Sequence, residues 1–405
     1  MKEHIIQETP LAVPGFLASA VPAGLKKSGK DDLALIVAPS GAQVSVLFTQ
    51  SQVVAAPVMV SREHAADQSA SALIINAGNA NACTGQVGTQ AALDTCQALS
   101  AALGIESQEV LVASTGVIGV ELPIAKIIDN LEPLIGSLCA TPEALQQVAN
   151  AIMTTDLVPK IAAMTVTVDN TIYTVTGIAK GSGMVAPNMA TVICCVLTDA
   201  PLSKGAMAHL FADAIDESLN CMSVDGDTST NDTAVLMSSG AGLYGHTIDE
   251  SHTGFSALKA AITQVCIELA RTIAKDGEGA TKLIDVTVSG ALTDEDARTV
   301  ALTIANSPLV KTALFGNDAN WGRVAAAAGR AGISYDQSKM AITIGGIEVC
   351  KAGTAVPFCE DQAFAALDRP EVEIHVDLGV GEGHALIWTC DLSYDYVKIN
   401  GEYRS

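Results

Sequence analysis

Thr191, which follows a glycine-rich loop and opens an apolar run, is the residue of this chain best suited to covalent chemistry. It stands in Lys180 to Ala200, KGSGMVAPNMATVICCVLTDA. Gly181, Gly183 and Pro187 make the first half irregular, because glycine frees the backbone and proline lacks the N–H that a helix or interior strand uses. Thr191 to Leu197 is apolar and β-branched, the pattern of a buried strand. Cleavage of the Ala190–Thr191 bond would give Thr191 a free α-amine beside its own hydroxyl. Such an amine titrates near pH ~8 and can accept the hydroxyl proton, which makes the threonine a nucleophile. Uncut, Thr191 is a β-branched residue at a strand start, the reading that composition alone favours.

Acyl chemistry at such a nucleophile builds an oxyanion, which needs hydrogen-bond donors aimed at it. Thr115 and Gly116 end the strand EVLVASTG at 109–116 and offer a hydroxyl and an N–H. Glycine lets the backbone approach a substrate closely, although the plain alternative is a strand-end turn. Glu278 lies between Gly277 and Gly279, where a carboxylate is ordinarily a solvated loop charge. Two further glycine patterns carry no chemistry. GLKKSGK at 24–30 has the spacing of a phosphate loop, but Asp31 stands where Ser or Thr is needed and no convincing strand pattern precedes it. LGVGEGHA at 378–385 lacks dinucleotide spacing and a following helix, and reads as a turn between strands.

The elements that would position these residues alternate between the two hydrophobic periods. LALIVAPSG, QVSVLFTQ and VVAAPVMVS read as strands, as do SALIINAG, EVLVASTG, AVLMSSG and LIDVTVSGAL. MTVTVDNTIYTVTGIAKG at 164–181 reads as a hairpin turning at Asp169-Asn170. Helical spacing runs over 88–103, 122–139, 142–153, 204–220, 253–276 and 295–316, with short strands and one helical piece near 360–368 in the last part. Strands and helices mixed without a regular βα repeat predict an α/β (α+β, mixed-sheet) architecture rather than a doubly wound sheet. A chain of 405 residues is long enough for more than one domain, and the seam is expected near residue 280. That gives a large domain, 1–280, and a smaller α/β domain, 281–405.

Composition excludes several classes. With aromatics at 4% and apolar residues at 49%, the core must be built from Ala, Val, Ile and Leu. Charged residues at 16% are few, which hints at surface hidden in subunit contacts. A formal charge of −22 repels nucleic acid and anionic membranes, so any anionic substrate must be met by local cations. The ten cysteines include no C-x-x-C pair, and the seven histidines no H-x-x-x-H, so buried reduced thiols and no metal site are expected. MKEHIIQETPLAVPGF lacks the apolar core of a signal peptide, and no apolar run approaches the ~18 residues of a membrane span. A cytoplasmic protein is the expectation.

The segment around Thr191 resembles the self-cleaving centre of the ornithine acetyltransferase (glutamate N-acetyltransferase) family of arginine biosynthesis. The likeness extends to NAGNANACTG at 76–85, ASTGVIG at 113–119, TTDLVPK at 154–160, MSVDGDTSTNDT at 222–233, KDGEGATKL at 275–283, NDANWGRV at 317–324 and DLSYDYVKINGEYRS at 391–405. It implies cleavage at Ala190–Thr191 into fragments 1–190 and 191–405 that stay associated, in a pair of such units. It implies Thr191 as nucleophile, Thr115 and Gly116 as the oxyanion hole, and Thr154, Lys180, Thr191, Glu278, Asn400 and Ser405 as substrate contacts. Glu278 would pair with a substrate ammonium and Lys180 with its carboxylate. Ser405 departs from the threonine common at that position but keeps the hydroxyl. The implied reaction moves an acetyl group from N2-acetylornithine to glutamate through an acetyl–Thr191 ester, with no metal or organic cofactor. Acetyl-CoA as an alternative donor stays open, as do two rival readings. One is an aminopeptidase or amidase with the same nucleophile; the other is a non-enzymatic small-molecule binding protein.

Overall fold

β-Branched and apolar runs form two mixed sheets in the computed structural model, which describes residues 6–186, 192–242 and 247–402. The first sheet holds β1 (Leu17–Val21), β2 (Leu33–Phe48), β3 (Ser69–Asn79), β4 (Val110–Val117), β5 (Lys160–Val168), β6 (Thr171–Lys180), β7 (Ile193–Thr198) and β8 (Thr233–Ser238). Its order is β4-β3-β2-β8-β7-β6-β5, with β1 also on β2. β3 with β4 and β7 with β8 are parallel, and the other neighbours antiparallel. The second sheet holds β9 (Leu283–Ala291), β10 (Ala341–Ile344), β11 (Ile347–Lys351), β12 (Thr354–Ala355), β13 (Glu371–Asp377) and β14 (Gly383–Cys390), in the order β12-β11-β10-β13-β9-β14. The mixed α/β architecture expected from the sequence is the one found.

Strand burial follows the residue pattern. In β7, Cys194 and Val196 pack against the helices Lys204–Asp216 and Phe255–Lys275, while Ile193, Cys195 and Leu197 face the core beside the helix Pro142–Ile152. Burial on both faces is why this strand reads as an unbroken apolar run. The Asp169-Asn170 turn is as expected, with φ of 48° and 65°, the left-handed pair a tight hairpin needs. The stretch 378–382 joins β13 to β14 as a turn, also as expected.

Three expectations need correction. LALIVAPSG and QVSVLFTQ are one strand, β2, with its pairing to β3 broken between Val37 and Ala42. Pro39 cannot donate to the ladder there and Gly41 takes φ of 77°, so the strand bulges instead of ending. VVAAPVMVS contributes the helix Ala56–His64, not a strand. Pro57 suits the first helical turn, where its missing N–H would be unpaired anyway. Ser61 Oγ then donates to Val112 O at 2.6 Å and His64 Nδ1 lies 2.8 Å from Val110 O, so docking on β4 overrides the β-propensity of the valines. Finally, Cys83, Cys139 and Cys359 are exposed rather than buried, because they lie in connections outside the apolar elements. Among the described residues no helix is long and apolar enough to cross a membrane.

Candidate active site

One wall of the site is made where β3 and β4 end together. Ala77 pairs with Thr115 and Gly78 with Gly116. Gly116 has φ of 133°, and a Cβ there would stand 2.3 Å from the Gly78 carbonyl carbon and 2.5 Å from Asn79 N. Only glycine permits that crossing, so the glycines of NAGN and ASTG are one feature seen from two strands. Asn231 locks it, donating from Nδ2 to Ala80 O at 2.6 Å and Ser114 O at 2.9 Å. Ser114 Oγ donates to Asn76 Oδ1 at 2.6 Å.

Lys180 ends β6 and is buried, and its Nζ donates to Thr115 Oγ1 at 3.3 Å. That bond occupies a lone pair of the Thr115 hydroxyl and leaves its hydrogen free to donate. Burial pulls the Lys180 ammonium below its ordinary range, partly opposed by the Asp156 charge. Asp156 is the organiser of this corner. Its Oδ1 accepts from Gly181 N at 2.8 Å and Lys160 Nζ at 2.5 Å, and its Oδ2 from Thr154 N at 2.8 Å. Lys160, fully buried, also pairs with Asp276 at 2.5 Å, and Asp276 accepts from Leu157 N at 3.0 Å. Burial works to raise the Asp156 carboxyl, but the Lys180 and Lys160 charges outweigh it and hold the group below the usual carboxylate range. The TTDLVPK stretch is thus tied by one buried ion network to Gly181, the residue after Lys180.

The opposite wall comes from the loop after the helix Phe255–Lys275 and from the end of the chain. Glu278 N donates to Ser182 O at 2.8 Å, and Asn400 Nδ2 donates to Glu278 Oε2 at 2.7 Å. Asn400 lies in the helix Tyr394–Glu402, which is stapled to the loop by Ser393 Oγ on Gly279 O at 2.5 Å. Asp391 adds bonds from Thr281 N at 2.7 Å and Lys282 N at 3.0 Å. The described part of the C-terminal segment is thus tied to the loop that carries Glu278.

Thr115, Gly116, Thr154, Lys180, Glu278 and Asn400, which the sequence nominated from separate stretches, line a single cleft with Gly183, Met184, Ser229 and Asn231. Ala190, Thr191 and Ser405 lie outside the described residues. The chain is clamped on both sides of Ala190–Thr191. Upstream, Asp225 accepts from Met184 N at 2.6 Å and Val185 N at 2.9 Å. Downstream, Asp232 accepts from Val192 N at 2.9 Å. Asp156, Asp225, Asn231 and Asp232 were given no role from sequence, although all four stand in the TTDLVPK and MSVDGDTSTNDT blocks. Their density of short polar residues was the available signal.

The cleft can therefore offer a hydroxyl and a glycine N–H beside a buried cation, together with a carboxylate. That set suits a zwitterionic amino acid bearing an acyl group. The model of the ArgJ family matches residues 17–405. The "Arginine biosynthesis bifunctional protein ArgJ" of Caldanaerobacter subterraneus is 47% identical over 96% of this chain and 97% of its own length. The protein of the same name from Gloeobacter violaceus is 43% identical over 97% of each chain. A crystal structure of "Arginine biosynthesis bifunctional protein argJ" from Bacillus halodurans matches with 43% identity and a TM-score of 0.49, covering 51% of this chain and 96% of that one. The chain belongs to the ArgJ family.

Proposed function

We propose that this chain cuts itself between Ala190 and Thr191 and then transfers an acetyl group from N2-acetylornithine to glutamate. The observation that carries the reading is the convergence of Thr115, Gly116, Thr154, Lys180, Glu278 and Asn400 on one cleft, together with the clamps on Val185 and Val192 that bracket the cut. In the first stage the Thr191 hydroxyl attacks the Ala190 carbonyl, and water hydrolyses the resulting ester. In the second the freed α-amine takes the hydroxyl proton, and Thr191 Oγ attacks the acetyl carbonyl. Thr115 and Gly116 hold the oxyanion, and the Lys180 contact both polarises Thr115 and leaves its hydrogen free. Glu278 receives the substrate ammonium, and Lys180 lends its charge to the carboxylate, with Thr154, Asn400 and Ser405 completing the contacts. Ornithine leaves, and the amine of glutamate takes the acetyl group from Thr191. The scheme is ping-pong and uses no metal or organic cofactor. Whether acetyl-CoA also serves as donor to the same hydroxyl is read by comparing incubation of acetyl-CoA plus glutamate with N-acetylornithine plus glutamate.

The sheet supports continued association of the two fragments. β6 and β7 flank the cut and pair from Lys180–Ile193 to Val175–Thr198, while β2 pairs with β8. Fragments 1–190 and 191–405 would thus share one sheet, with a domain seam near 280 and two such units in the assembly. Kinetics with N-acetylornithine and glutamate test the reading: N-acetylglutamate should form. Free acetate instead would favour an aminopeptidase or amidase, and no turnover at all a binding protein.

A further inference from the structure

Lys180 is 4% exposed, yet among the described residues its Nζ makes one hydrogen bond, the 3.3 Å contact with Thr115 Oγ1. An ammonium carries three donors, so two remain for a ligand. A cation buried with so little direct company gives up its proton unless a counter-charge stands near. Four charged groups face it: Asp156 from the loop before β5, Lys160 at the start of β5, Asp232 from the loop before β8, and Glu278 from the loop after the helix Phe255–Lys275. Lys160 repels. Burial pushes the Asp232 carboxyl well above the ordinary range, which makes it a poor source of negative charge. Glu278 already receives Asn400 and is the partner for a substrate ammonium. That leaves Asp156, whose side chain is wholly buried. Burial would raise its carboxyl, but the charges of Lys180 and then Lys160 hold it below the usual carboxylate range. Its Oδ1 accepts from Gly181 N at 2.8 Å and so fixes the backbone directly after Lys180. Lys160 stands 2.5 Å from both Asp156 and Asp276. The buried cluster thus sets two lysines against two aspartates, and its charge balances only with both.

We propose that Asp156 is a positioning residue for the substrate: it holds Lys180 at the cleft wall as a charged ammonium, and the ligand's α-carboxylate is recognised through that charge. The inference rests on the Lys180–carboxylate contact proposed above. Asp156 is not among the residues that line the cleft, so it acts through Lys180 and not on the ligand. Without its charge, Lys160 and Lys180 share a buried corner with Asp276 alone. Lys160 keeps its ion pair with Asp276, whereas Lys180 has no ion pair among the described residues and is the one to lose its proton. A neutral Lys180 still donates a hydrogen bond but offers a carboxylate no charge.

Asp156→Asn keeps an acceptor for Gly181 N but removes the charge, and Asp156→Glu keeps the charge. The probes are ornithine, which binds without reacting when no acetyl donor is present, and 1,4-diaminobutane, the same molecule without its carboxylate. Calorimetric titration gives Kd for both ligands, with circular dichroism to confirm folding. The reading is the ratio of variant to wild-type Kd as the pH rises, from which the ligand's own titration cancels. Removing a neighbouring opposite charge moves a titration down by about 1–3 pH units, so the ornithine ratio of the Asn variant should climb roughly tenfold or more between about pH 6.5 and 9. Its 1,4-diaminobutane ratio should stay level, as should both ratios of the Glu variant. Disturbance of Thr154, whose N–H also rests on Asp156, would weaken binding by the same factor at every pH. A level ornithine ratio in the Asn variant, or a 1,4-diaminobutane ratio that climbs with it, overturns the assignment. So does a climbing ornithine ratio in the Glu variant, which decides the matter alone if the Asn variant does not fold. Wild-type protein that binds both ligands alike overturns the carboxylate contact itself, and this inference with it.

Discussion

Alanine at Gly183 should disable substrate binding while leaving the fold intact. A Cβ at that position would lie 2.4 Å from Glu278 Cδ and Oε2 and 2.7 Å from Oε1. Non-bonded contacts of that kind need well over 3 Å, so the carboxylate must swing away by about 1 Å or more. The backbone of Glu278 stays pinned through Ser182 O, so the displacement falls on the flexible end of the side chain. The Asn400 bond to Oε2 goes with it. A hydrogen bond to a charged group is worth about 1.5–3 kcal/mol, so kcat/KM for N-acetylornithine should fall roughly tenfold to 150-fold. The assay is steady-state kinetics on Gly183→Ala, Glu278→Gln and the double variant, with thermal melts as the folding control. If both changes remove the same contact, the double variant should resemble Glu278→Gln alone. Wild-type kcat/KM in Gly183→Ala, or losses that multiply in the double variant, would refute the reasoning.

Other perturbations separate the remaining parts. Thr115→Val removes the oxyanion donor and should lower kcat by about 10²–10³-fold with little change in KM; a kcat within a few-fold of wild type contradicts the assignment. Lys160→Met removes the buried cation that Asp156 and Asp276 share and should cost about 3–5 kcal/mol, seen as a large drop in Tm that eases in acid. Asp156 is held below its ordinary value of 3.8, so its stabilisation is complete above about pH 4 and is lost as the pH falls through the depressed value. The Tm of Asp156→Asn should accordingly be lower at neutral pH and vary less between about pH 5 and 2 than wild type; superimposed Tm–pH curves would count against this.

What the sequence could reveal depended on whether the cause was local. β7 announced itself because both faces are buried, and the Asp169-Asn170 turn because two left-handed residues have few alternatives. Thr115 and Gly116 were legible as a strand end, although only the packing of Gly116 on Gly78 explains the glycine. The helix Tyr394–Glu402 could not be read, since it buries no residue and so has no apolar period. It is held instead by polar ties at Ser393 and Asn400 and by the edge-to-face contact of Tyr394 with Phe315. VVAAPVMVS misled because four valines and a methionine look alike in a strand and in a helix packed on β4. Asp156, Asp225 and Asp232 escaped for a different reason. A buried carboxylate is recognisable only from the N–H groups it meets, and Asp225 and Asp232 meet theirs about forty residues away.

The central claim is that Thr191 becomes a chain end and then carries the acetyl group. Purified protein, incubated with N-acetylornithine but no glutamate, quenched in acid and weighed under denaturing conditions, tests both halves together. The account predicts two polypeptides, 1–190 and 191–405, the second heavier by one acetyl group that glutamate then removes. A single active polypeptide of full mass, or an acetyl group absent from the second fragment during turnover, would contradict it.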